Sequence, residues 1–199
     1  MLLVEHTTTP DADLPVEALK DHLRLGTGFA EADIQDEMLV GYLRAALAAI
    51  EGATGKALFQ RTFSWTTASW RDMSQQVLPV APILGITELC IIDRNENVEI
   101  VPTDRYALIE DVHRPRLVAT GFFLPTIPVG GKAKVTVVAG YATDWPSMPH
   151  DVALAVIALA ASYYENRGGT TPQDHERLPN QVAALLQRYR EMRLFKGMR

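Results

Sequence analysis

The stretch "WPSMPHDVALAVIALAASYYENRG", residues 145–168, decides how the chain is read, because Val152 to Tyr164 passes without a single charge. A membrane-spanning helix needs about 20 mostly apolar residues. This run is shorter, rich in alanine and bounded by Asp151 and Glu165, so it reads as a buried helix. Ser147, Pro149 and Asp151 suit its first turn: a cap is wanted there, a proline N–H is not missed, and negative charge meets the helix dipole. Gly168 suits its exit. Apolar residues occur almost all round it, so neighbours must cover several faces. Part of that cover is expected from another copy of the protein.

Working outward, two helices are expected upstream. "DADLPVEALKDHLRLG" (11–26) gives a short one, with Asp13 as cap, Pro15 at the start, Gly26 at the exit, and Leu19, His22, Leu23 and Leu25 as its stripe. Residues 31–58 give a long one, with Gly52 and Gly55 marking its fraying end. Ile34, Met38, Leu39, Tyr42, Leu43, Ala46, Leu47 and Ile50 keep the spacing of one helical face. Acids gather at its start, as the dipole prefers. Downstream, the polar loop 168–179 leads to "NQVAALLQRYREMRLFKGMR". Asn180 is the expected cap there, and Val182, Leu185, Leu186 and Tyr189 form the buried stripe.

Residues 59–141 change character. "QRTFSWTTASW" reads as a strand, "GITELCIIDRNENVEIV" as a hairpin turning at Asp93–Asn97, and "DRYALIED", "RPRLVATG" and "KAKVTVVAGY" as further extended segments. Prolines concentrate between Pro79 and Pro149. The expected class is therefore α+β. A small bundle of about four helices is built from residues 1–58 and 142–199. A β-rich insert occupies 59–141, and a basic–apolar tail occupies 188–199.

With 199 residues, 47% of them hydrophobic, the chain can form one sizeable core or two small ones. A net charge of −5 argues against general affinity for nucleic acid, which comes mainly from basic surface meeting phosphate. The lone Cys90 excludes an intrachain disulfide framework and, in "ITELCIID", reads as a small core residue. Met1–Glu5 has neither the length nor the flank of a signal peptide, so a cytoplasmic protein is expected.

The search for chemistry finds little. His6, His22, His113, His150 and His175 show no metal-ligand spacing with one another or with Cys90. His150-Asp151 are adjacent on a helix, about 100° apart, and read as a first turn rather than a dyad. "GATGK" (52–56) lacks the phosphate-loop pattern and follows a helix. "PVGGKAK" (128–134) reads as a turn. Ser64, Ser69 and Ser74 lack a nucleophile-elbow context. The acidic run "AEADIQDE" is a solvated helix start or, on another reading, the lining of a channel. The basic tail is a solvated helix end, a docking segment or a phosphate contact. Leu194, Phe195 and Met198 among its charges favour docking, since apolar groups left exposed are a liability. No catalytic site, cofactor or metal is expected, and the chain is not expected to be an enzyme.

Several segments, taken in order, carry a resemblance. "LPVEALKDHLRL" and then "DEMLVGYLRAALAAIEGATGKAL", with Glu51, Thr54, Gly55 and Leu58, come first. "LPVAPILGITELCIID" follows. Ala139-Gly140-Tyr141 then leads through Pro149 to Tyr163, Tyr164, Glu165, Asn166 and Arg167, and "LPNQVAALLQRYR" closes the series. Together these resemble the head–tail connector (adaptor) family of tailed phages, in its longer branch with a β insert, as found in phages and in gene transfer agents. The resemblance implies a structural protein without cofactor. It implies a ring, twelvefold in the particle, below the portal of the DNA-filled head, joined to the next neck or tail protein, with DNA passing through. A neutral or acidic lumen suits sliding DNA. The implied location is the host cytoplasm during assembly and then the particle neck, with no membrane. Tyr163, Tyr164, Glu165, Asn166 and Arg167 are expected at the subunit interface. Arg190, Arg193, Leu194, Phe195, Lys196, Met198 and Arg199 are expected to bind the portal. The alternatives are another neck or tail-completion ring protein, or a packaging accessory that binds nucleic acid.

Overall fold

The computed structural model describes residues 1–25, 32–166 and 178–190. The fold is α+β and divides into two compact units. One comprises residues 1–9 and 56–143, the other 10–55 and 144–199.

In the helical unit, α1 spans Val16–Leu23, α2 Ala32–Thr54, α3 His150–Glu165 and α4 Asn180–Leu185. The helix α3 packs against α1, α2 and α4. Val152, Ala155, Val156, Ile157, Leu159, Ala160 and Ala161 are buried, and Leu154 is exposed. Burying one such leucine is worth about 1.5–3 kcal/mol, so the many small apolar side chains of α3 make it the centre of this unit. Facing it, α2 presents Leu39, Leu43, Ala46, Leu47 and Ile50, all buried and all on the expected stripe. Met38 lies at the edge of that stripe and is exposed. The ammonium of Lys20 on α1 meets Asp36 on α2 at 2.6 Å.

The helix ends differ from expectation in their chemistry. Asp13 lies in a short 3-10 turn, and Pro15 stands at the N-cap of α1. Pro149 and Pro179 hold the same place before α3 and α4, with no side-chain cap. Proline fixes φ near the helical value and has no N–H to leave unpaired, so it can start a helix without a polar cap. Ser147 is used one turn earlier: its N–H donates to Asp144 Oδ1 at 3.0 Å and its hydroxyl to the Asp144 carbonyl at 3.0 Å. The left-handed Arg24 (φ 55°) ends α1. Gly26 and Gly168, expected at helix exits, lie outside the described residues.

The long helix ends at Thr54, between the two glycines expected to mark its end. Gly55 has φ +68°, a conformation L side chains rarely adopt, and its N–H donates to the Glu51 carbonyl at 2.8 Å. The Thr54 hydroxyl donates to the Ile50 carbonyl at 2.7 Å. The T-G pair is therefore a helix stop.

The β unit holds two antiparallel sheets. The larger has the order β1-β2-β8-β4-β5: β1 is Leu2–Glu5, β2 Arg61–Thr67, β8 Lys132–Ala139, β4 Ile83–Ile92 and β5 Val98–Ile100. The smaller has the order β3-β7-β6: Gln75–Val77, Arg116–Ala119 and Tyr106–Ile109. Alternation along β8 puts Ala133, Val135, Val137 and Ala139 on the core face, with Phe63 and Trp65 of β2 and Leu89 and Ile91 of β4 beside them. Leu78, Val80, Tyr106, Leu117 and Leu124 complete the same core, so the small sheet and its loops cover one face of the large one. Sequence reading places residues 1–58 with the helices, whereas residues 1–9 belong to the β unit because β1 pairs along β2. Neither β1 nor the short β3 is expected from the sequence.

Candidate functional site

The surfaces of interest lie at the ends of α3 and at the edges of the large sheet. At the start of α3, the carboxylate of Asp151 accepts from Arg188 Nε at 2.8 Å and from the Tyr189 hydroxyl at 2.8 Å. Arg188 also donates to the Tyr189 hydroxyl at 2.6 Å and lies over its ring, 4.8 Å from the centroid. Burial, the first cause, pushes the Tyr189 phenol up from its ordinary value. The chain after α4 therefore does not continue as one amphipathic helix. It tightens into a 3-10 turn at Gln187–Tyr189, and Arg190 leaves it extended and exposed. The reason is geometric: that turn lets Tyr189 reach Asp151 while Val182 and Leu186 stay buried. Leu185, expected in the same stripe, is only half-buried and lines a groove of about 590 Å³ with Leu154, Ala158 and Ala161.

At the far end of α3, Tyr164 meets Tyr42 of α2 edge-on, ring centroids 6.1 Å apart. Tyr163 is half-buried, and burial pushes its phenol up. Glu165 and Asn166 are exposed, and Asn166 Nδ2 donates to the Ser162 hydroxyl at 3.2 Å. The structure thus brings Tyr163, Tyr164, Glu165 and Asn166 to one helix end. Arg167, and Arg193, Leu194, Phe195, Lys196, Met198 and Arg199 of the tail, lie outside the described residues.

The residues weighed for chemistry have structural positions. Asp151 is bonded to Arg188 and Tyr189, so it is not the partner of a His150 dyad. In "GATGK", Lys56 is buried and donates to the Val112 carbonyl at 2.6 Å, which leaves no ammonium for a phosphate. In "PVGGKAK", Gly130 has φ +77° and Gly131 N–H closes a turn on the Pro128 carbonyl at 2.8 Å. Lys132 pairs with Glu96 at 2.9 Å. Cys90 is buried, and burial, then Glu88, pushes its thiol up to about 11, so it carries no thiolate at neutral pH. His6 Nε2 lies 2.8 Å from the Ser64 hydroxyl and ties the chain after β1 to β2. No group of three or more potential metal ligands occurs among the described residues. No helix among them is long and apolar enough to cross a membrane.

Sequence reasoning missed the sheet edges. The side chains of both edge strands, β1 and β5, are exposed along their whole length. Leu2 is 61% exposed, Val98 60% and Ile100 64%. The signal was present in the apolar run Met1-Leu2-Leu3-Val4 and in the alternating Val98-Glu99-Ile100 that follows the turn at Asp93–Asn97.

The AGY segment is explained by close packing. Gly140 has φ +139°, and a Cβ there would sit 2.2 Å from the Phe59 carbonyl oxygen. On either side, Gly140 N–H donates to the Pro82 carbonyl at 3.0 Å, and Tyr141 and Ala142 donate to the Leu58 carbonyl at 3.1 Å each. Gly140 and Leu58, both in the resembling segments, thus belong to one backbone junction.

No family model matches the chain, and no curated protein matches it. Solved structures do. A chain in the neck of an empty gene transfer agent particle, computed with C6 symmetry, is 42% identical with a TM-score of 0.89. A chain in the virion of a native gene transfer agent particle is 42% identical with a TM-score of 0.86. One in the native neck, computed with C12 symmetry, is 38% identical with a TM-score of 0.84. In all three, 99% of this chain and 99% of the matched chain are covered. A likeness of this degree, over nearly the whole of both chains, means that the chain belongs to the head–tail connector (adaptor) family of tailed phages and gene transfer agents.

Proposed function

We propose that this chain is a structural head–tail connector of a phage-like particle, forming a ring in the neck below the portal. The ring joins the DNA-filled head to the next neck or tail protein and lets DNA pass. The observation that carries this reading is the 42% identity over 99% of both chains to a component of a gene transfer agent neck. A repeated heterologous contact closes such a ring, and a net charge of −5 per copy suits a conduit that does not grip phosphate. Its partners are further copies of itself, the portal and the next neck protein. It is made in the host cytoplasm and resides in the particle.

Two surfaces are assigned within this reading. The end of α3, Tyr163 to Asn166 with Arg167, faces a neighbouring subunit. The tail from Arg190, through Arg193, Leu194, Phe195, Lys196, Met198 and Arg199, docks on the portal through its cations and apolar groups. Light scattering on the protein mixed with the portal encoded near it tests the reading. A stoichiometric complex is expected. A 22.0 kDa monomer that ignores the portal would overturn it.

A further inference from the structure

The large sheet ends in two open edges that match each other. Its five strands alternate in direction, so β1 and β5 run the same way. On their outer sides, neither has a pairing partner among the described residues. Exposed apolar edges invite pairing with another chain and are normally blunted by shortness, charge, proline or cover. Here both edges are short, Leu2-Leu3-Val4-Glu5 and Val98-Glu99-Ile100, and each carries one acid, but five of their seven side chains are apolar.

The two edges also share a face. Pairing runs Leu2–Thr66–Lys134–Cys90–Ile100 straight across the sheet, so Leu2 and Ile100 project to the same side. By the period of two, Val4 and Val98 join them. A sheet continued from one copy to the next would lay Val98 and Ile100 beside Leu2 and Val4 without turning either face over.

We propose that β5 of one copy pairs in parallel with β1 of the next, with Val98 beside Leu2 and Ile100 beside Val4, so that the sheet is continuous between subunits. This rests on the ring reading above. A ring of more than two copies needs two different surfaces that fit each other, and the two edges of one sheet supply them. An odd number of antiparallel strands makes the junction parallel. A twelvefold ring turns each copy by about 30° from the last, which keeps the strands nearly aligned. Charge disfavours one slip of the register: sliding by two residues toward Glu5 would set Glu99 beside it, and like charges side by side are unfavourable. A two-fold pairing of β5 with itself would set Glu99 against Glu99, and it would end at a dimer.

The test places cysteines at the junction, Leu2→Cys together with Val98→Cys, in the full chain within assembled particles. Parallel neighbours lie within disulfide reach. Oxidation of the double variant is expected to give a ladder of trimers and larger species, and each single variant dimers at most. Monomers and dimers alone, from particles that contain the double variant in wild-type amount, would overturn the pairing while leaving the connector reading intact. Wild-type particles that lack the protein would overturn the connector reading, and the pairing with it. If the cysteine variant is not incorporated, Val98→Lys with Ile100→Lys decides, since both side chains are exposed and the fold can be checked by circular dichroism. At least a tenfold loss of incorporation is expected for the folded lysine variant, and undiminished incorporation overturns the pairing.

Discussion

Gly140 shows how one residue fixes a junction. Its φ of +139° and the Phe59 carbonyl 2.2 Å from any Cβ combine two penalties, strain and collision, and neither neighbour is a flexible side chain. Gly140→Ala is expected to destabilise the β unit by about 2–4 kcal/mol, read as a lower urea midpoint. Tyr189 is a milder case. Its hydroxyl donates to Asp151 while its ring stays buried. Tyr189→Phe keeps the packing and removes two hydrogen bonds, the one donated to Asp151 and the one accepted from Arg188, so a loss of about 1–3 kcal/mol is expected from the same measurement. A loss near zero would mean that Arg188 alone satisfies Asp151.

Among the elements, α3 depends on packing and the β turns on carboxylates. Leu159 is buried at the centre of the helical unit, so Leu159→Ala is expected to cost about 2–5 kcal/mol through lost transfer energy and a cavity. A loss below 1 kcal/mol would mean that the bundle closes around the gap. The hairpin turn is held by Asp93, which accepts from Asn95 N–H at 2.7 Å, Asn97 N–H at 2.9 Å and Asn97 Nδ2 at 2.8 Å. The bonds from Asn97, side chain first and then backbone, hold its carboxyl below the ordinary 3.8. Asp72, Asp111 and Asp144 are lowered in the same way, by bonds from Ser74, from Arg114 and His113, and from Ser147. A depressed folded-state value gives stability that is fully present above the unfolded value. That stability is lost as pH falls through the folded one. The melting temperature is therefore expected to fall as pH drops below about 4, and Asp93→Asn to flatten part of that fall. An unchanged pH profile in Asp93→Asn would show that the turn carries none of it.

For the whole molecule, the proposed portal-docking role of the basic tail is tested by its removal. Arg190 is exposed and extended, while the residue before it, Tyr189, is the last of the buried stripe. Deleting 190–199 is expected to leave the circular dichroism spectrum and melt unchanged and to weaken portal binding at least tenfold. Undiminished capture of the truncated protein by the portal would refute the docking role. Arg167→Ala tests the subunit contact proposed at the other end of α3. Fewer copies per particle are expected, and unchanged assembly would remove Arg167 from the interface.

The sequence by itself determined the α+β class, the stripe on α2, the burial of α3 and the hairpin at Asp93–Asn97, because helical and strand periodicity are local properties set by the core. The family was legible too, since Gly55 and Gly140 are demanded by backbone geometry that few substitutions satisfy. Only the tertiary structure decided that the last helix breaks at Leu185 so that Tyr189 can reach Asp151. This depends on a partner far away in the chain, which no local pattern records. The same holds for β1. Four exposed residues have no periodic signal of their own and become a strand only because β2 offers them an edge.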